Sequence, residues 1–104
     1  MTIKESDWKA FKKLREVALN RMYQRVLNEC AEICTDESRS PRERYMDLYA
    51  SVKENDKRVV SVFDHFSRSK ASMALLGIRS LGLIDDDELE GLSDEMIERT
   101  RPLD

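Results

Sequence analysis

The chain has 104 residues, of which 38% are charged and 40% hydrophobic, with only 3 glycines and 2 prolines. That length predicts one domain spanning 1–104. The apolar content excludes a disordered chain, and the scarcity of Gly and Pro excludes a collagen-like or loop-rich one. The net charge of -3 makes no compositional case for a polyanion binder. The charge is nevertheless organised. The balance is +4 over residues 1–25, zero over 26–84, -8 over 85–98 and +1 over 99–104.

No run of 18 apolar residues occurs, and the N-terminus lacks an apolar signal core, so a cytoplasmic protein with no membrane span is expected. In that compartment Cys30 and Cys34 are expected to be reduced thiols.

The pattern along the chain is helical throughout. Leu19, Met22, Tyr23, Val26, Leu27, Cys30, Ile33 and Cys34 follow the spacing of one helix face. Trp8, Phe11, Leu14 and Ala18 extend it upstream, predicting a first helix over about 6–34. Ser6 and Thr2 both offer N-caps, and Thr2 with Glu5 matches a capping box. Such a helix is roughly 40 Å long, so it either packs along an equally long partner or projects beyond its own core.

After a loop over 35–40, Ser40-Pro41-Arg42-Glu43 places a capping serine, a first-turn proline and a glutamate three residues after the cap. A second helix over about 41–66 follows, with the stripe Tyr45, Leu48, Tyr49, Val52, Val59, Phe63 and Phe66. Glu54–Arg58 and Asp64–Arg68 have the favourable i, i+4 spacing. Asp56 stands where the stripe calls for a core residue. This predicts either a break at Asn55-Asp56 or a buried carboxylate with a cationic partner.

Residues 71–81 are apolar almost all round, which predicts a central helix over about 69–81, capped by Ser67 or Ser69 or continuous with the second, and stopped by Gly82. Short helices over about 86–90 and 94–99 complete the chain. Asp85–Glu88 supply acids for the first, and Ser93 caps the second. The expected fold is all-α: a long antiparallel helical hairpin, a central apolar helix and short C-terminal helices.

Candidate chemistry is sparse. His65 follows Asp64, but on a continuous second helix it falls opposite the apolar stripe, where a solvated histidine is expected. Cys30, Cys34 and His65 define a thiol or metal-binding alternative. The helical Cys pair departs from the knuckle spacing of structural zinc, so small, half-buried thiols and no metal are expected. Asp85-Asp86-Asp87-Glu88 fails the calcium-loop pattern at Leu89 and Glu90. No phosphate-loop, dinucleotide, nucleophile-elbow or zinc-protease motif occurs, so no enzymatic activity and no cofactor are expected.

Lys4, Lys9, Lys12, Lys13, Arg15, Arg21 and Arg25 make a nucleic-acid-associated regulator the second alternative. They spread around the first helix, however, as a solvated face does. Arg68, Lys70 and Arg79 flank the central helix and form, with Asp56, the candidate interaction residues, either as a partner or anion site or as the cations that neutralise Asp56. The expected function is that of a non-catalytic adaptor or regulator acting through a protein partner. A homodimer is expected from the wide stripe of the first helix and its basic head, which complements the acidic tail segment within or between chains.

Overall fold

The computed structural model describes residues 3–64 and 66–103. Among these residues all regular structure is helical: α1 (Glu5–Thr35), α2 (Pro41–Phe63), α3 (Ala71–Ser80) and α4 (Asp94–Arg99), with 3-10 turns at Arg68–Lys70 and Asp86–Leu89. The expected all-α architecture of hairpin, central helix and short C-terminal helices is present. The molecule measures 52 × 24 × 24 Å. Its long axis is set by α1, whose 31 residues span about 46 Å.

α1 starts at Glu5 rather than at Ser6. Its N-cap is Lys4, which makes no side-chain capping bond, so Ser6 is a first-turn residue and not the cap. Glu5 and Asp7 supply negative charge at the positive helix end instead. The Thr2 cap lies outside the described residues.

The start of α2 is the one its sequence specifies. Ser40 Oγ accepts from the Glu43 amide at 3.1 Å, and Glu43 Oε1 accepts from the Ser40 amide at 3.0 Å, with Pro41 at the first position. The Ser40 amide, with the Ser40 hydroxyl and the Arg39 charge, holds the Glu43 carboxyl below its ordinary pKa. Ser40→Ala should cost about 1 kcal/mol in thermal or urea unfolding; an unchanged transition would remove the cap from the account. At the same tip, Arg44 Nη1 donates to Cys34 O at 2.7 Å and supplies the cation that the last turn of α1 lacks.

α2 ends at Phe63, three residues before the expected end, and it is not continuous with α3. The reason is tertiary. Arg15 Nη2 captures the Phe63 carbonyl at 2.6 Å, and the Phe66 ring packs tilted against Trp8 with its centre 5.2 Å away. The Asp64–Arg68 helical pair is therefore absent; Arg68 bonds Glu5 instead. Glu54 pairs with Lys57 rather than Arg58. α3 begins one 3-10 turn later than expected. Its N-cap is Lys70 with no side-chain bond, so neither Ser67 nor Ser69 caps it.

The end of α3 obeys the local signal. Gly82 has φ 68°, with Gly82 N bonded to Arg79 O and Leu83 N to Ile78 O. This is the paired C-terminal closure that glycine permits without strain. Gly77 lies inside α3, where glycine costs stability. A Cβ there would meet the Val62 side chain at 3.4 Å, an ordinary van der Waals contact, so packing against α2 does not require glycine at this position.

The core occupies one end of the molecule. Phe11, Leu75, Ile78, Leu83 and Met96 are its largest fully buried apolar side chains. α1 enters it with its first five or six turns only. Beyond Met22, α1 and the first part of α2 leave the core together as a two-helix arm, and Asn55 is the sole buried residue of that arm among those described.

Candidate functional site

Asn55 shows how the arm is built. Its Nδ2 donates to Glu29 Oε2 at 3.1 Å and to Ser51 O at 2.9 Å, so the buried amide is satisfied across and along the hairpin. Asp56, the next residue, is exposed. The expected buried carboxylate is thus displaced by one residue: the seam against α1 passes through Asn55, and Asp56 turns outward by 100°.

The cations expected to neutralise Asp56 are employed elsewhere, and among the described residues no ion pair involves Asp56. Arg68 bonds Glu5 and lies 5.3 Å over the Trp8 ring. Arg79 has a buried side chain whose Nη1 donates to Ile97 O at 2.7 Å and Thr100 Oγ1 at 2.9 Å, tying α3 to α4. Its Nη2 faces Asp86 at 3.9 Å across a cleft of about 530 Å³ that Arg101 and Pro102 also line. Lys70 is exposed. The structure does not bring Arg68, Lys70, Arg79 and Asp56 together as one site.

The three arginines of α1 are spent inside the fold, while Lys9, Lys12 and Lys13 are exposed. Arg21 bonds Glu88 through both guanidinium nitrogens, at 2.7 and 2.9 Å, and also reaches Leu83 O. Arg25 donates to Leu81 O at 2.8 Å. The basic head thus meets the acidic segment within one chain through Arg21 and Glu88. Arg21, helped by the Asp85 amide, holds the Glu88 carboxyl down at about 2. A carboxyl whose pKa is lowered by folding contributes stability above its unfolded value and loses it as pH falls towards the folded one. Acid titration should therefore show a loss of stability below the ordinary carboxylate range, continuing towards pH 2. Glu88→Gln should remove that part of the curve and leave the rest; an identical curve for the variant would refute the assignment.

Cys30 is half-buried and Cys34 exposed, and both are free thiols. Among the described residues no three His, Cys, Asp or Glu side chains are grouped to hold a metal ion. The expectation for His65 lies outside the described residues. No helix among the described residues is long and apolar enough to cross a membrane.

The surface of the arm also carries exposed apolar side chains. Tyr23, Leu27, Tyr45, Tyr49 and Val52 are between 47 and 68% exposed. On α1, residues nine apart point in opposite directions, because nine steps of 100° make two and a half turns. Leu27 and Cys34 therefore stand opposite Ala18 and Arg25, on the side away from the C-terminal segment that Arg21 and Arg25 bind. The α2 residues Tyr45, Tyr49, Val52 and Asp56 share one stripe at i, i+4, i+7, i+11 spacing.

In an antiparallel hairpin these two stripes fall on the same face. They meet in an apolar groove of about 140 Å³ lined by Tyr23, Val26, Val52, Asn55, Asp56 and Val59. With three half-exposed or more exposed tyrosines, the face offers about 600 Å², at the top of the range for a single patch on a monomer. The other side of the arm carries Glu29, Asp47, Glu54 and Arg58, so the arm is two-faced. The stripes were legible in the sequence; that a single face of the arm would carry both of them uncovered was not.

Comparison with protein-family models, with curated proteins and with solved structures finds no match for this chain.

Proposed function

We propose that this chain is a small, non-catalytic helical protein that works through protein–protein contact, as an adaptor or regulator, and that it self-associates through the apolar face of its arm. The observation that carries this reading is the exposed stripe of Tyr23, Leu27, Tyr45, Tyr49 and Val52. A two-helix arm that projects from its core with one apolar side resembles half of a helical bundle. Leaving that side in water forgoes burial worth about 25 cal/mol per Å². The free thiols on and beside this face suit a reducing compartment, and we place the protein in the cytoplasm.

The basic residues favour a nucleic-acid role less, because Arg15, Arg21 and Arg25 donate to carbonyls and carboxylates of the same chain.

Sedimentation velocity at micromolar concentration should show a species of twice 12.2 kDa. The double variant Leu27→Glu, Tyr49→Glu should run as a monomer with unchanged helical circular dichroism, since both side chains are surface residues of the single chain. A wild-type protein that sediments as a monomer across this range would end the self-association reading.

A further inference from the structure

We infer that the face closes on a second copy of the chain tip-to-base, forming an antiparallel four-helix bundle in which α1 lies on α1 and α2 on α2 of the partner copy, with Cys30 beside the two-fold axis. The inference rests on the self-association reading and fixes its arrangement.

Area supports the occupant. The face offers about 600 Å², and Val26, Cys30 and Val59 at its edges bring it towards the roughly 800 Å² per partner of a stable interface. An isologous contact uses the same patch twice, so one uncovered face per chain suffices to close the assembly. Two hairpins stacked on one face also give the shallow crossing of ordinary helical bundles.

Charge and hydrogen bonding support the direction. Residues 85–98 carry a balance of -8 and sit at the core end. A tip-to-base arrangement puts these two acidic segments at opposite ends of the assembly, whereas a base-to-base one places them side by side. Along the α2 stripe Asp56 is the one charged residue. Asp56, an acceptor, lies towards the core end, and Tyr45 and Tyr49, whose hydroxyls donate, lie towards the tip. The α2 stripe runs from Tyr45 to Val59 and has its midpoint at Val52. Reversal about that midpoint sets Asp56 of one copy opposite residue 48 of the other, next to the Tyr49 hydroxyl. The exposed carboxylate, which no ion pair involves among the described residues, then gains a phenolic donor.

The α1 stripe runs from Tyr23 to Cys34, with its midpoint between Leu27 and Cys30. At 1.5 Å per residue, the two copies of Cys30 lie roughly 4–5 Å apart along the bundle, and the two copies of Cys34 roughly 16–17 Å apart. The native thiols therefore read the direction. A short bis-maleimide should link copies of the Cys34→Ser variant through Cys30 and leave the Cys30→Ser variant unlinked. Reaction of each variant with a monofunctional maleimide in mild denaturant confirms that its thiol is competent. A dimer linked equally well through Cys34, or through neither thiol, would overturn the arrangement while leaving self-association standing; a monomer would overturn both.

A second measurement is independent of thiol access. Asp56→Asn and Tyr49→Phe should each weaken the dimer by about tenfold, and the double variant by no more than either alone. In the single chain these residues stand two helical turns apart, so coupling between them arises only across copies. Additive losses would also overturn the arrangement.

Discussion

Leu75→Ala should lower the stability of the fold by about 2–5 kcal/mol. Leu75 has no exposed surface and sits in the cluster formed by α1, α2, α3 and the C-terminal segment. The loss combines the transfer free energy of the removed carbons with the cavity left behind, which close-packed neighbours fill only in part. A domain of this size has about 5–15 kcal/mol in total, so the substitution removes a large share. The melting temperature should fall by about 10 °C or more. Leu75→Met nearly conserves volume and should cost less than about 1.5 kcal/mol. If alanine and methionine behaved alike, the site would not be a packed core position.

The second large effect concerns Asp7. Its carboxylate is buried, and no ion pair involves it among the described residues. Oδ1 accepts the Ser93 amide and Oδ2 the Ser93 hydroxyl, both at 2.7 Å, while Ser93 Oγ accepts the Met96 amide at 3.2 Å. The charge thus rests on the N-terminus of α4 and on the positive first turn of α1, of which it is itself a member. Asp7→Ala removes two charge-assisted bonds and leaves the Ser93 amide without its acceptor, a loss of about 2–4 kcal/mol. Ser93→Ala added to Asp7→Ala should cost much less than it does alone, because the two act as one unit. A stable Asp7→Ala protein, within about 0.5 kcal/mol of the parent, would show that this link between the two ends of the chain is dispensable.

The Asp7 link was not legible in the sequence. An aspartate in the first turn of a helix reads as a solvated charge near the positive end, and nothing local marks it as buried. Its partner lies 86 residues away. Arg21 is similar: the sequence shows a basic head and an acidic segment that complement each other, and the structure selects Arg21 and Glu88, separated by 67 residues, as a pair that joins them.

Asp56 is instructive in a different way. Periodicity marked it as a stripe position, and it is one: it lies on the face that carries Tyr45, Tyr49 and Val52. The inference that the stripe is buried fails because α1 covers only a narrow seam of α2, through Leu48 and Asn55. Amphipathicity tells which residues share a side. How much of that side another helix covers depends on where the partner's axis passes. A wide stripe on each of two paired helices leaves a surplus of apolar surface, and on this arm the surplus is the candidate interaction face.

The amino-acid sequence by itself determined the all-α class, the approximate places of α1 to α4 and the punctuation at Ser40, Gly82 and Ser93, because capping bonds and closing turns act within five residues of chain; the helix expected over 86–90 is a 3-10 turn at Asp86–Leu89. The tertiary structure alone decided where α2 stops, which of Asn55 and Asp56 faces inward, where Arg15, Arg21, Arg68 and Arg79 spend their donors, and that the core gathers at one end. Those outcomes depend on groups brought together from distant parts of the chain, whose meeting is set by packing geometry rather than by local preference.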